Sequence, residues 1–312
     1  MNRANSTVLV AGSANLDFVV RAAHVPAPGE TVLGRDFSTF PGGKGANQAV
    51  ACARAGGAPT RMLLALGDDP YAVPLEASLR AAGVGLDVVR ARGEPTGVAF
   101  VCLADGAENA ITVAPGANAT LRPEHLPPLN GVSHLLMQLE TPLPTVEAWA
   151  RAARRAGVYV ALNAAPAQAL PRGLQGDCRL LIVNEGELAA IAGTHGVAAG
   201  LDALDVEAVV VTLGARGCCA RVGGEYLLQP GFVVEAIDTT GAGDTFCGTL
   251  VAALSLGLPF PAALRRACAA SALACTRLGA QAGVPMHGEV QRLLASRKGE
   301  AAEELAAYAG LA

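Results

Sequence analysis

The chain has 312 residues, of which 52% are hydrophobic and only 16% are charged, and its formal net charge is −4. This composition allows a large buried core and excludes a disordered chain. The slightly acidic balance argues against non-specific binding of nucleic acid, which needs a basic face.

The cysteines, histidines and apolar runs indicate a cytoplasmic protein without a histidine-built metal site. The eight cysteines contain no C-x-x-C pair and stand mostly in apolar runs, as buried free thiols of a reducing compartment do. The five histidines are scattered and form no H-E-x-x-H motif. No apolar stretch approaches the ~18 residues of a membrane span. We therefore expect a soluble, cytoplasmic protein that binds neither membranes nor nucleic acids.

Short apolar runs alternate along the chain with helical segments, which is typical of an α/β fold with a mostly parallel central sheet flanked by helices. The apolar runs predict buried strands at 7–11, 61–66, 134–139, 158–162, 180–183 and 208–212. Helices are predicted at 46–55, 71–82, 143–156, 246–258 and 261–276, and an amphipathic tail at 291–309. The sequence shows no internal repeat and no second core, so we expect residues 1–312 to form one domain.

Four further segments predict strands that do not fit this alternation. They lie at 18–22, 31–40, 97–103 and 109–114, and no helix separates the last two. We expect them to form a small separate antiparallel sheet, a lid built from about 15–40 and 96–114.

Polar or glycine residues follow five of the predicted parallel strands. They are Asn15, Glu140, Asn163, Asn184 and Gly214. Because the carboxyl ends of parallel strands meet at one edge of a sheet, these residues predict a ligand-binding cleft at that edge.

A glycine-rich turn at 41–48 (PGGKGANQ) opens into the helix at 46–55. It does not match the Walker A loop, because Gly45 rather than serine or threonine follows Lys44. It also lacks the third glycine of the dinucleotide-binding fingerprint. Lys44 is therefore either a solvated loop lysine or a group that contacts a polyol or a phosphate.

The stretch at 238–248 (DTTGAGDTFCG) places Gly241 and Gly243 just before the helix at 246–258. Glycine lets backbone N–H groups approach a ligand, and a helix start adds unpaired donors and the positive end of the helix dipole. The stretch therefore predicts an anion site, most often one for phosphate. Asp244 either caps this helix or orients a hydroxyl that attacks phosphorus. We expect the helix N-terminus to keep Asp244 ionised.

Asn184 and Glu187 stand three residues apart at a predicted helix start, so both face one side of the helix. They either form a capping box or hold Mg²⁺, with Glu187 acting through a water molecule. The anion site, the lysine loop and the polar strand ends together predict transfer of a phosphoryl group to a small polyol.

Taken together, these features resemble the ribokinase family of carbohydrate kinases over residues ~7–285. The resemblance rests on seven motifs in the expected order: GSANLD at 12–17, GGKGANQA at 42–49, MQLE at 137–140, NEGE at 184–187, TLGARG at 212–217, DTTGAGD at 238–244 and TRLGAQ at 276–281. It implies a ribokinase-like α/β domain, a β lid over the sugar and an ATP site toward the C-terminal half.

The resemblance also assigns roles to individual residues. It implies sugar-hydroxyl contacts by Asn15, Asp17, Gly43, Lys44, Asn47 and Glu140. Asp244 resembles the catalytic aspartate of the family, and Gly241, Ala242 and Gly243 resemble its anion hole. The nucleotide contacts are expected at Asn184, Thr212, Leu213, Gly214, Ala215, Arg216, Gly217 and Gly243. A monovalent-cation site for K⁺ is expected at Asp238, Thr240, Ala274, Arg277, Gly279 and Gly283.

Two positions depart from the family pattern. The segment at 193–206 is shorter than usual, and Gly283 stands where close relatives often carry serine. The expected reaction is the ATP-dependent phosphorylation of D-ribose at its 5-hydroxyl, with Mg²⁺ and activation by K⁺, in a homodimer formed through the lid. The alternatives are a sibling kinase for another sugar or a nucleoside, and a sugar-sensing protein without catalysis.

Overall fold

The computed structural model describes residues 7–106, 109–297 and 302–311. Its strands are β1 (Thr7–Ala11), β2 (Asn15–Ala22), β3 (Asp36–Gly42), β4 (Thr60–Gly67), β5 (Gly85–Ala91), β6 (Gly97–Ala104), β7 (Asn109–Ala114), β8 (Val132–Met137), β9 (Tyr159–Asn163), β10 (Leu180–Asn184), β11 (Ala208–Thr212), β12 (Gly217–Val222) and β13 (Glu225–Pro230). Its α-helices are α1 (Lys44–Ala51), α2 (Ala72–Ala81), α3 (Leu143–Arg155), α4 (Arg172–Asp177), α5 (Glu185–Ala192), α6 (Val197–Ala203), α7 (Ala242–Ser255), α8 (Phe260–Ala274), α9 (His287–Ser296) and α10 (Glu303–Ala309).

Nine strands form the central sheet in the order β13-β12-β11-β10-β9-β8-β1-β4-β5. The strands from β11 to β5 pair in parallel, and β12 and β13 add an antiparallel edge. The predicted α/β class with a mostly parallel sheet is therefore confirmed. The edge strands β5, β12 and β13 were not predicted, because their residues are less uniformly apolar than the central runs.

Both faces of the central sheet are buried, which explains the continuous apolar runs in its strands. Val8 and Val10 of β1 face one core, which is closed by α1, α2, α7, α8 and α9. Leu9 and Ala11 face the other core, which is closed by α3, α4, α5, α6 and α10. The sheet thus lies between two helical layers, and its strand ends are presented at one edge.

A second sheet of four strands has the order β3-β2-β6-β7. The four predicted lid segments do pair with one another. The outer pairs, β2 with β3 and β6 with β7, are antiparallel, whereas the central pair of β2 and β6 is parallel. The strands also begin and end elsewhere than predicted, since β2 starts at Asn15 and β3 covers Asp36–Gly42 rather than 31–40.

The predicted amphipathic tail at 291–309 contains most of α9 and all of α10, and residues 298–301 lie outside the described part. All eight cysteines are free thiols, and six of them are buried, as the sequence predicted. Among the described residues, no helix combines the length and the apolar character that crossing a bilayer requires.

Candidate active site

The predicted cleft lies at the carboxyl ends of the central strands. A cavity of about 170 Å³ is lined there by residues from six elements or their ends, among them Lys44, Asn163, Asn184, Glu187, Thr212, Gly241, Gly243, Asp244 and Cys247. Two larger surface cavities, of about 320 and 440 Å³, lie beside Arg179 and beside Glu76. Neither of these contains a predicted site residue, so the smaller cavity at the strand ends is the candidate active site.

The helix α7 begins at this cavity, with Gly241 at its N-cap in the left-handed region (φ 74°). A side chain at Gly241 would press on the backbone of Ala280, so glycine is required there by both conformation and space. The first N–H groups of α7 have no partners within the helix, and its positive dipole end points in the same direction. Gly243 faces open space, so an anion can approach the backbone at this point.

Asp244 lies in the first turn of α7, but it does not cap the helix, because no side chain accepts a hydrogen bond from the backbone N–H groups at the start of α7. Its two carboxylate oxygens accept hydrogen bonds from two consecutive residues of α1. Asn47 Nδ2 donates to Oδ2 (3.0 Å), and Gln48 Nε2 donates to Oδ1 (2.9 Å). The capping alternative for Asp244 is therefore wrong.

Burial raises the pKa of Asp244 above its ordinary value, although Lys44, Asn47 and Gln48 each lower it. The sequence suggested that the helix N-terminus would keep this carboxyl ionised and therefore a weak base. The loss of solvent around the side chain acts in the opposite direction and outweighs the favourable charges, so the pKa is raised rather than lowered. A raised pKa makes Asp244 a stronger base when it is ionised.

Lys44 lies among carboxylates rather than in solvent. Burial alone lowers the pKa of its ammonium, but Asp244, Glu140 and Glu187 together raise it above the ordinary value. The backbone N–H of Lys44 also donates to Glu140 Oε2 (3.1 Å), which accepts a second bond from Ser13 Oγ (2.6 Å). Lys44 therefore stays charged at the centre of the cleft, and the solvated-lysine alternative is wrong.

The glycine loop before α1 is pressed against the lid. A side chain at Gly43, where φ is 88°, would lie 2.8 Å from Ala14, and one at Gly42 would overlap the carboxylate of Asp17. Burial, followed by the charges of Glu140 and Asp244, raises the pKa of Asp17 to about 7. The lid strand β2 therefore brings a carboxyl with a raised pKa close to Glu140 and Asp244.

Asn118 was missed by sequence reasoning, although it holds the lid to the site. Its Nδ2 donates to Asn15 Oδ1 (2.8 Å), while its side chain bonds both the N–H and the carbonyl of Ala14. Asn118 lies 103 residues from Asn15 along the chain, in a short 3₁₀ helix (Gly116–Thr120) that carries no motif. No sequence signal points to it.

Asn184 and Glu187 form the capping box that was one of the two sequence alternatives. Glu187 N–H donates to Asn184 Oδ1, and Asn184 N–H donates to Glu187 Oε2, both at 2.8 Å. Glu187 is nevertheless buried at the cleft, and burial raises the pKa of its carboxyl. Its Oε1 is left free of the capping box.

The predicted nucleotide loop follows β11 as a short helical turn, Gly214–Arg216, before β12. Thr212 reaches the cavity, whereas Arg216 is turned toward the C-terminal helix. Its guanidinium lies 4.0 Å from the ring centre of Tyr308 on α10, and the Tyr308 hydroxyl donates to Glu185 Oε1 (2.6 Å). These contacts connect α10 to the turn at Gly214–Arg216 and to the start of α5, the two segments that carry the predicted nucleotide motifs.

The residues predicted to bind a monovalent cation also come together. Asp238 accepts hydrogen bonds from the N–H groups of Thr240 (2.9 Å) and Gly279 (2.8 Å). A Cβ built on Gly283 would lie 2.8, 3.0 and 3.5 Å from the carbonyl oxygens of Gly279, Ala274 and Arg277. Three neutral carbonyls thus converge near Gly279, which is hydrogen-bonded to the Asp238 carboxylate, and Gly241 lies against the next residue, Ala280.

A buried carboxylate beside a helix N-terminus, a charged lysine and several polar side chains at one edge of the sheet are the groups of a phosphotransferase of the α/β class. The profile of the pfkB family carbohydrate kinases matches residues 5–286. The chain therefore belongs to the pfkB family of carbohydrate kinases.

Named relatives agree with this assignment. The chain is 38% identical to the ribokinase of Bacillus subtilis, in a match that covers 92% of the chain and 99% of the relative. It is 36% identical to the ribokinase of Haemophilus influenzae, over 92% of the chain and 98% of the relative. Its fold superposes with a TM-score of 0.84 on the ribokinase of Arabidopsis thaliana complexed with ribose and ATP, at 32% identity and with 92% and 98% of the two chains covered.

Proposed function

We propose that this protein transfers the γ-phosphoryl group of ATP to the 5-hydroxyl of D-ribose, with Asp244 as the base. The observation that carries the proposal is that one cleft holds Asp244, the N-terminus of α7 and Lys44, whose charge acts on the Asp244 carboxyl. The similarity to ribokinases over nearly the whole chain supports ribose as the acceptor.

The sugar site would be formed by Asn15, Asp17, Gly43, Lys44, Asn47 and Glu140. Asn47 supports it with a specific feature: its Nδ2 is bound to Asp244, but its buried Oδ1 has no hydrogen-bond partner among the described residues. A buried acceptor without a partner is costly, so a donor from the substrate would satisfy it. A sugar hydroxyl bound to Asn47 would lie beside the Asp244 carboxylate.

The transfer step follows from this placement. Asp244 accepts the proton of the 5-hydroxyl as the hydroxyl oxygen bonds to the γ-phosphorus of ATP. The bond between that phosphorus and the β-phosphate oxygen breaks and ADP leaves, while the N–H groups at 241–243 stabilise the charge on the transferred group. Lys44 neutralises charge on the same side of the cleft. The nucleotide would lie along Asn184 and the loop from Thr212 to Gly217.

The divalent ion would enter with the nucleotide and neutralise phosphate charge. Glu187 fits such a role, because its Oε1 is not used by the capping box and carboxylate oxygen is a ligand that Mg²⁺ prefers. Since Mg²⁺ keeps several of its waters, we expect Glu187 to act through one of them.

We further propose that Asp238, with the carbonyl groups of Thr240, Ala274, Arg277 and Gly279, binds K⁺. The convergence of three carbonyl oxygens near Gly283 supports it, because neutral oxygens with one carboxylate suit a large monovalent ion. Gly283 provides no hydroxyl, so the ion would be held more weakly than with serine there. A cation at this place would fix the backbone that carries the anion-hole N–H groups.

We also propose a homodimer formed through the lid. The lid exposes large apolar side chains on β3, β6 and β7, namely Phe37, Phe40, Phe100, Ile111 and Val113. Apolar surface of this kind marks an interface, and two-fold dimers are the commonest way to bury it.

A coupled assay of ATP consumption across pentoses, hexoses and nucleosides tests the proposed reaction. The panel must include 2-deoxyribose, since the chain is also 30% identical to the deoxyribokinase of Salmonella typhi. We expect D-ribose to give the highest kcat/KM, because a site built to bind a hydroxyl rejects the analogue that lacks it. Equal efficiency on 2-deoxyribose or fructose would contradict ribose specificity, and no turnover with any acceptor would favour a sensing protein.

A further inference from the structure

We propose that Gln48, held in place by Gln138 and Asn163, is a positioning residue for Asp244. This inference rests on the proposed function, in which Asp244 is the base. Gln48 follows the sugar-site residue Asn47 on α1, and it lies 196 residues from Asp244 along the chain.

The contacts form a continuous chain of amides beneath the cleft. Gln48 Nε2 donates to both Asp244 Oδ1 and Asn163 Oδ1, each at 2.9 Å. Gln48 Oε1 accepts from Gln138 Nε2 (2.6 Å), and Asn163 Nδ2 donates to the carbonyl of Ile182 (3.1 Å). Gln48 and Asn163 therefore connect the base to the backbone of β10, and Gln138, at the end of β8, binds Gln48 from the other side.

The direction of these hydrogen bonds is fixed by their ends. The Ile182 carbonyl can only accept, so Asn163 must turn its amide nitrogen toward it and its oxygen toward Gln48. Gln48 must then present its own nitrogen to Asn163 and, with the second N–H, to Asp244. The carboxylate thus always meets a donor, which favours its ionised form.

The amides are too deeply buried to be incidental. Gln48 and Gln138 are completely buried, and Asn163 is nearly so. Burying an amide is unfavourable unless its hydrogen bonds are made. Gln138 Oε1 has no partner in the described residues, and a side chain at Gly12 would overlap it. The absence of a side chain at Gly12 thus leaves room for Gln138. Gln138 orients Gln48, although its own Oε1 has no hydrogen-bond partner among the described residues.

The consequence for catalysis is geometric. Asn47 and Gln48 each bind one carboxylate oxygen, so the Asp244 side chain is held from two directions. Its remaining lone pairs are left for the hydroxyl of the acceptor. Lys44, Glu140, Glu187 and Cys247 also act on this carboxyl, and Asp17 interacts with it from the lid. In the described part of the chain, Asn47 and Gln48 are hydrogen-bonded to Asp244, and of these two Gln48 is also hydrogen-bonded to a residue of the central sheet, Asn163.

The test is the variant Gln48→Met, which keeps the side-chain length and removes the donor. We expect kcat with ribose and ATP to fall about 10- to 100-fold, because a misplaced base costs rate steeply. KM for ribose should change by less than about threefold, since the change acts on the base and not on the bound sugar. The acid limb of the pH profile of kcat/KM should move to higher pH, because Asp244 loses a donor that lowers its pKa.

Gln138→Met provides a second variant, and Gln175→Met on α4 provides a matched control at another part of the fold. Gln138→Met should give a smaller loss of kcat, and the double variant Gln48→Met/Gln138→Met should lose little more than Gln48→Met alone. The control should retain wild-type kcat. Thermal unfolding of each variant shows whether it folds, and if Gln48→Met does not, Gln138→Met carries the test.

The outcomes separate the two proposals. If the wild-type protein shows no ribose-dependent ATP consumption, the proposed function fails and the role of Gln48 fails with it. If the wild-type protein is active but the folded Gln48 and Gln138 variants keep kcat within about twofold and the same pH profile, only the positioning role is overturned. Additive losses in the double variant would likewise show that Gln138 does not act through Gln48.

Discussion

Replacing Asp17 with asparagine should stabilise the protein above neutral pH while it impairs binding of the sugar. Burial is the main reason that the pKa of this carboxyl is raised to about 7, and the charges of Glu140 and Asp244 add to it. Among the described residues, no hydrogen-bond donor reaches the Asp17 carboxylate to offset this cost. Ionisation of Asp17 therefore lowers the stability of the folded protein, and we attribute the presence of this carboxyl to its proposed role in binding the sugar.

The sign and the size of the effect follow from proton linkage. The folded protein binds the Asp17 proton more tightly than the unfolded chain, so the free energy of unfolding falls as the pH rises from about 4 to about 7. A shift of roughly 3 pKa units corresponds to about 4 kcal/mol when it is fully expressed. Because Asp17 keeps some contact with solvent, we expect Asp17→Asn to recover roughly 2 kcal/mol above pH 7.

The measurement is denaturant unfolding of the wild type and of Asp17→Asn at several pH values. The gain in stability should be near zero at about pH 4 and reach its full size by about pH 8. Ser38→Ala, at an exposed neutral position of the same lid, serves as the control and should leave the pH dependence unchanged. Ribose should raise the stability of the wild type more than that of Asp17→Asn. A stability difference that is independent of pH would refute the reasoning.

Three further predictions concern chemistry, the cation and assembly. Asp244→Asn should lower kcat ~10²–10⁴-fold while calorimetry still detects ribose binding; a variant that keeps more than about a tenth of the wild-type rate would place the base elsewhere. Activity should be higher in about 100 mM K⁺ than in the same concentration of Na⁺, and Asp238→Ala should abolish the difference; equal activity in K⁺-free buffer would contradict a role for K⁺. Light scattering at micromolar concentration should give twice the mass of the chain, and a monomer would remove the lid-mediated dimer.

The sequence by itself determined the class of the fold and the position of the cleft. The residues at 8–11 are apolar at every position, which is the pattern of a strand that is covered on both faces. The polar residues after these strands were found at one edge because parallel strands end at one edge. The glycines around Asp244 likewise predicted a helix N-terminus, which is a local property of the chain.

The pairing inside the lid was decided by the tertiary structure. Each lid segment alternates as a strand does, but alternation does not say which neighbour it takes or in which direction. The parallel contact of β2 with β6 joins residues about 80 positions apart, beginning with Asn15 beside Gly97. Such a contact depends on how the central domain places the two strands.

The pKa of Asp244, the proposed base, was also decided by the tertiary structure. From the sequence, Asp244 had only a helix N-terminus beside it, and this favours ionisation. The fold adds burial, Lys44 and the amides of Asn47 and Gln48, and burial outweighs the rest. A pKa depends on the solvent and charges within a few ångströms, and in this cleft they come from segments nearly 200 residues apart along the chain. The motifs therefore predicted Asp244 as the candidate base, but only the packing of α1 against α7 set the pKa and the orientation of its side chain.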